Sequence, residues 1–263
     1  MLKHTPIHLI QNIYQFRYIL KCFVFKDLKE KYHSSFLGFV WTILTPLCLM
    51  AMYGIIFHYI FKVKIENYTL YLLSGIIPWI FFVGGLEQAT HSLVHNYPLM
   101  NKIYFPREIL PIAAINGHLI HFLISWTLFF GLIVFQGIPL SWNILTFPII
   151  VLVQYALLMG FALCLSALMV FFRDVIFIAQ LIFQILFFFC PIVYALTSVP
   201  DIYKPLYLLN PMAVLIGAYR NVLLYGQSPF DFYFYYVSIF SIFLLYVGFS
   251  FFKTNEWIYP ERA

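Results

Sequence analysis

Residues 144–171 read ILTFPIIVLVQYALLMGFALCLSALMVF. No Asp, Glu, Lys or Arg interrupts the run. A helix crosses the hydrocarbon core of a bilayer in about 20 apolar residues, so this stretch is long enough to cross with length left over for tilt. Hydrocarbon offers nothing to an unpaired backbone group, and a chain that crosses it alone must be helical. A β-barrel would be written as short alternating segments rather than one continuous apolar tract.

The same reading, extended in both directions, finds five further spans at about 37–61, 68–88, 109–135, 175–196 and 232–252. Composition agrees with it. The chain of 263 residues is 63% hydrophobic and 10% charged, with a mean hydropathy of +0.90. A soluble domain carries roughly 25% charged residues, and a chain of this size cannot bury so much apolar surface in its own core. The expected fold is an all-α integral membrane protein with six transmembrane helices. Residues 1–36 form a cytoplasmic N-terminal segment with an amphipathic interfacial helix, 37–252 the six-span domain, and 253–263 a cytoplasmic tail.

Orientation follows from Lys and Arg, which accumulate on the cytoplasmic side. With the N-terminus inside, the outer loops hold only Lys62, Lys64, Lys204 and Arg220 of the 15 basic residues. The rest, from Lys3 to Arg262, fall inside. Both termini are expected in the cytoplasm. The net charge of +5 speaks of membrane orientation and not of nucleic acid.

Three segments between the spans have a character of their own. In 9–31, Leu9, Ile13, Phe16, Leu20 and Phe23 recur at helical spacing on one face. Arg17, Lys21, Lys26, Lys29 and Lys31 then form a candidate surface for phosphate headgroups of the lipid. The polar segment from Tyr97 to Glu108, punctuated by Pro98 and Pro106, has the form of a short helix offered to a cytoplasmic partner. The outer segment 198–231 contains Leu206–Leu209 and Met212–Leu224. Both are too short to span, and are expected as re-entrant half-helices before the last span. Arg220 lies inside the second and must face water, protein or headgroups.

The chemistry that is missing narrows the function. There is no G-x-x-x-x-G-K-[ST] loop for ATP, no H-E-x-x-H and no G-x-S-x-G. Glu87 is the nearest approach to a midspan carboxylate, and reads as a snorkelling or pairing residue near a span end. His58, His118 and His121 read as packed or interfacial. Cys22, Cys48, Cys164 and Cys190 are too scattered for a metal site and read as small apolar side chains. No catalytic, cofactor or metal residue is expected. From the residues alone, a transport subunit without its own motor and a membrane enzyme acting on lipid-linked sugars both stay open.

Four stretches carry a resemblance. They are YHSSFLGFVWTILTP at Tyr32–Pro46, NKIYFPREILP at Asn101–Pro111, VFFRDV at Val170–Val175 followed by FFFCPIVY at Phe187–Tyr194, and LNPM at Leu209–Met212. In that order and spacing, the chain resembles the transmembrane subunit of the ABC-2 type polysaccharide exporters. Those permeases move O-antigen, capsule or teichoic acid polymers out of bacteria. Cys190 stands where many relatives have Ser or Thr.

The resemblance implies a homodimer in the bacterial inner membrane, bound below by two copies of an ATPase that holds ATP and Mg. It implies a lipid-linked polysaccharide on undecaprenyl diphosphate as cargo. It also implies that Tyr97, Tyr104, Phe105, Pro106, Arg107 and Glu108 couple to the ATPase. Trp41, Phe187, Phe188 and Tyr194 are candidates to line the path, since flat rings hold sugars weakly at many points. An ABC-2 type exporter of a lipid or drug is the nearest alternative, because it needs the same dimer and the same ATPase.

Overall fold

The computed structural model describes residues 14–32, 37–63 and 65–259, without the side chains of residues 31, 32 and 59. Lys3, Leu9, Ile13, Lys64, Arg262, the Lys31 side chain and the start of the Tyr32–Pro46 stretch therefore lie outside the described residues.

Apolar runs without charge become helices here as backbone bookkeeping requires. Among the described residues five helices are long and apolar enough to cross a membrane: Gly38–His58, Tyr68–His95, Ile109–Phe135, Trp142–Phe171 and Phe232–Asn255. In chain order the α-helices are α1 (Arg17–Tyr32), α2 (Trp41–Tyr53), α3 (Tyr68–His95), α4 (Tyr97–Met100), α5 (Ile109–Phe135), α6 (Phe147–Phe171), α7 (Val175–Phe188), α8 (Lys204–Leu209), α9 (Pro211–Leu223) and α10 (Phe232–Asn255). A π-helical segment, Gly54–Ile60, prolongs α2.

The centre is α3. Of its most apolar window 78% is buried, against 11% for the span containing α2. It packs on α5 and α6, with α2, α7 and α9 against its remaining faces. Its packing is tied by polar groups as well as by apolar ones. Gln154 of α6 donates to the Pro78 carbonyl of α3 at 2.9 Å and accepts from the Tyr219 hydroxyl of α9 at 2.8 Å. The second rigid pair is α6 with α10. A Cβ on Gly160 would lie 2.8 Å from the Leu244 carbonyl carbon, and one on Gly248 would overlap the Gly160 carbonyl oxygen. The two backbones touch there because neither residue has a side chain, the close approach that small residues permit between membrane helices.

The fifth expected span, 175–196, is not one helix. α7 ends at Phe188 after 14 residues, about 21 Å of rise against a hydrocarbon core of about 30 Å. Pro191 sets the stop, since it has no N–H to give and pushes its predecessor out of the helical region. α1 is also less amphipathic than the sequence suggests. Leu20 and Val24 are buried against the bundle, while Tyr14, Tyr18 and Phe25 are exposed among the cations.

Candidate functional site

Three features stand out: a groove on the flank of α3, a polar clamp at the groove's upper end, and a buried ionic joint at the opposite end of the bundle.

The groove lies between α2, α3 and α7 and encloses about 610 Å³. Its walls are rings: Tyr53 from α2, Trp79 from α3, and Phe183, Phe187 and Phe188 from α7. Phe187 stacks on Tyr53 at 5.4 Å and meets the edge of Trp79 at 5.7 Å. Polar groups face the same space, namely Glu87, Gln180 and Gln184. Phe188 is 66% exposed. Flat apolar faces beside amide and carboxylate groups suit a ligand with apolar ring faces and hydroxyl edges.

Of the sequence-derived path candidates, Phe187 and Phe188 meet in this groove. Tyr194 stands beyond it, donating to the Phe188 carbonyl and lying 3.2 Å from the Tyr207 hydroxyl. Trp41 is not brought to them. It borders a separate cavity of about 130 Å³ on the α5 side, with Thr42, His118 and His121. The sequence reading missed Tyr53, Trp79, Phe183, Gln180 and Gln184. Gln180 and Gln184 were visible as a polar pair four residues apart on an otherwise apolar helix.

The clamp is built on Arg220, which is turned entirely into protein. Its guanidinium donates to the carbonyls of Pro191, Ile192 (2.8 Å) and Tyr71 (3.3 Å) and to the Ser74 hydroxyl (3.3 Å). It sits 3.5 Å from the Tyr71 ring centre. Tyr68 and Tyr71 donate to the next two carbonyls, Val193 (2.7 Å) and Tyr194 (2.8 Å). Four successive carbonyls of the non-helical stretch after α7 therefore each receive a side-chain donor. That is how irregular backbone is kept satisfied at depth. Among the described residues no carboxylate pairs with Arg220.

The joint gathers the segment expected to meet a partner. Glu108 caps α5, where a negative charge suits the helix dipole. Its side chain is fully buried and accepts from Lys253 at 2.7 Å. Lys253 also holds Glu256 at 2.9 Å, and Glu256 accepts from the Arg107 backbone N–H at 3.3 Å. Phe105 is buried against Phe23 of α1, with ring centres 5.4 Å apart. Glu108 and Phe105, both coupling candidates, are thus turned into the protein. A buried carboxylate needs a partner inside the protein, and its partner is far along the chain. Tyr97 and Pro106 are partly buried and Tyr104 is 86% exposed. Arg107 keeps a buried Nε with no hydrogen-bond partner among the described residues.

The cationic surface of α1 is divided. Arg17, Lys21 and Lys29 are exposed, and Arg17 lies over the rings of Tyr14 (4.9 Å) and Tyr18 (5.3 Å). Lys26 turns inward, donating to Asn96 at the end of α3 at 2.8 Å, and so leaves the proposed headgroup face. Asp27 beside it accepts from Gln88 at 3.0 Å. Burial pushes the Asp27 carboxyl above its ordinary value, with Lys26 opposing the shift. Among the described residues no group of three or more His, Cys, Asp or Glu is placed to hold a metal ion.

Long apolar helices around a buried central one, with a polar and aromatic groove on the flank, define a multi-pass membrane protein of transport type. The chain belongs to the ABC-2 type transporter family, whose model matches residues 18–224. It is 28% identical over 257 residues to the O-antigen export system permease protein RfbA of Myxococcus xanthus, covering 97% of this chain and 99% of that protein. It is 30% identical over 241 residues to the protein of the same name from Klebsiella pneumoniae, covering 90% and 91%. The polysialic acid transport protein KpsM of Escherichia coli is 22% identical over 249 residues, covering 88% and 91%. The chain is therefore an inner-membrane permease subunit related to O-antigen and polysaccharide export permeases.

Proposed function

We propose that this permease works as a homodimer with two copies of an ATP-binding subunit. Its cargo is a polysaccharide linked to undecaprenyl diphosphate, moved across the bacterial inner membrane. The groove of Tyr53, Trp79, Phe187 and Phe188, with Glu87, Gln180 and Gln184 among the rings, carries this reading. Each ring holds a sugar weakly, so a polymer can slide where a small solute in a tight polar site would stop. ATP and Mg belong to the partner subunit, since this chain has no phosphate-binding loop.

In this reading both termini are cytoplasmic, in keeping with the distribution of Lys and Arg. The ends of α3 and α10 and the start of α5 lie together on that side. α7, completed by the clamped stretch after it, makes the fifth of six crossings. α8 and α9 dip into the outer half of the bilayer and return. Arg17, Lys21 and Lys29 face anionic headgroups or the lipid diphosphate. The ATPase docks on the exposed part of the segment 97–108, around Ile103 and Tyr104.

Deletion of the gene, in a cell without a second exporter, tests the cargo. Surface glycan should disappear while lipid-linked glycan accumulates inside. Phe188→Ala and Trp79→Ala should each lower surface glycan only in part. Normal surface glycan in the deletion strain rejects the cargo, and total loss from a single folded groove variant rejects a shared weak path. Retained glycan export with lost transport of a lipid or drug would favour the alternative exporter.

A further inference from the structure

We infer that the cytoplasmic end of α10 is a working part of the ATPase linkage: Lys253 and Glu256 weld the segment 97–108 to the α6–α10 pair, so that a push on the segment moves that pair. This rests on the reading of 97–108 as the ATPase contact.

The segment is short and flanked by α3 and α5, and by connectivity alone it would pull on those two helices. The ionic joint adds a third attachment, 145 residues away in the chain. Lys253 reaches Glu108 at 2.7 Å and Glu256 at 2.9 Å. Glu256 in turn accepts the backbone N–H of Arg107 at 3.3 Å. Both residues that begin α5 are thereby fixed to the last turn of α10. The side chains of Glu108 and Lys253 are 0% and 13% exposed, so water does little to weaken the pair. Glu256, 24% exposed, holds Lys253 from the other side.

Beyond the joint the chain folds back. Tyr259 is fully buried, packs on Phe252 at 4.9 Å and donates to the Phe252 carbonyl at 2.7 Å. That fixes the direction of the turn carrying Glu256. From Lys253 the load passes along α10 to the contact where Gly248 and Gly160 leave no gap between backbones. A joint without slack at one end and a glycine contact without slack along the shaft transmit displacement instead of absorbing it. Lys253 and Glu256 are therefore positioning residues, acting through the segment and touching neither ATP nor glycan.

The test uses the complete transporter in membranes, with three readings: ATPase co-purified with the permease, ATP hydrolysed, and glycan delivered to the surface. Lys253→Met and Glu256→Gln should leave ATPase binding and hydrolysis near normal. The ATP spent per delivered glycan should rise roughly tenfold, within the range of ordinary coupling energies. The exchange Glu108→Lys with Lys253→Glu should recover only part of the loss, since Glu256 then faces a like charge, and a contribution to folding alone would not link that recovery to the ratio. If Lys253→Met fails to accumulate, Glu256→Gln decides, because it alters a partly exposed side chain. An unchanged ratio in Lys253→Met, or in Glu256→Gln where Lys253→Met does not accumulate, overturns the inference. Tyr104→Ala separates the two readings. If it keeps the ATPase bound and export intact, the segment is not the ATPase contact. If it releases the ATPase while Lys253 and Glu256 variants export at a normal ratio, only the weld is wrong.

Discussion

Two buried charges sit at opposite ends of this bundle and are satisfied in opposite ways. At the end where α3 begins, Arg220 has no acid partner among the described residues and spends its guanidinium on the Pro191, Ile192 and Tyr71 carbonyls and Ser74. At the other end Glu108 is met by a lysine that is shared with a second glutamate. The first arrangement stabilises a stretch of chain that cannot be helical. The second holds two helix ends together. A fork of donors suits several fixed carbonyls at once, while an ammonium suits two carboxylates that approach from different elements. The two ends therefore differ in what can replace them.

Reversal of the Glu108 charge should have the largest effect. Glu108→Lys places two cations in a buried space and should cost about 3–5 kcal/mol, read as a fall in the thermal midpoint of the purified transporter. Adding Lys253→Glu should restore only part of it, because Glu256 then faces a like charge. If the exchange restores nothing, the pair is not a simple charge contact and the comparison fails at that end. At the Arg220 end no exchange can rescue. Arg220→Met leaves the Pro191 and Ile192 carbonyls unmet and should cost about 3 kcal/mol. Arg220→Lys should recover little of it, because one ammonium cannot serve the same set of acceptors. Full recovery by lysine would show that charge, not the fork, holds the clamp. The smallest effect should come from Tyr68→Phe, which removes one donor from the Val193 carbonyl, at about 1 kcal/mol by the same measurement. A neutral result there would mean that the stretch after α7 rests on Arg220 and Tyr71 without need of Tyr68.

How much of this was legible in the sequence depends on range. The long spans were legible because hydrocarbon enforces a length and bars charge, and both are written locally. That α8 and α9 are short helices was also legible, from Pro205, Pro211 and the insufficient length of 206–209 and 212–224. The end of α7 was not. The apolar run continues through FFFCPIVY, and side chains from other elements, Arg220 together with Tyr68 and Tyr71 more than a hundred residues away, make it tolerable for the chain to leave the helix there. Glu108 shows the same limit. It was read as part of the coupling segment, and nothing local to it announced its burial against the distant Lys253. The aromatic groove was half legible. Phe187 and Phe188 were found by motif, but Trp79 and Tyr53 join them only because α2 and α3 pack against α7.

The ionic joint also has a consequence for how the chain is made. Glu108 leaves the ribosome 145 residues before Lys253, and at about 5–20 residues per second that is an interval on the order of ten seconds. Throughout it, a carboxylate destined for burial stands at a membrane surface without its cation. The nascent chain must therefore keep the start of α5 hydrated, or hold it against the insertion machinery, until the final span has entered. Closing the joint is then one of the last events of biogenesis.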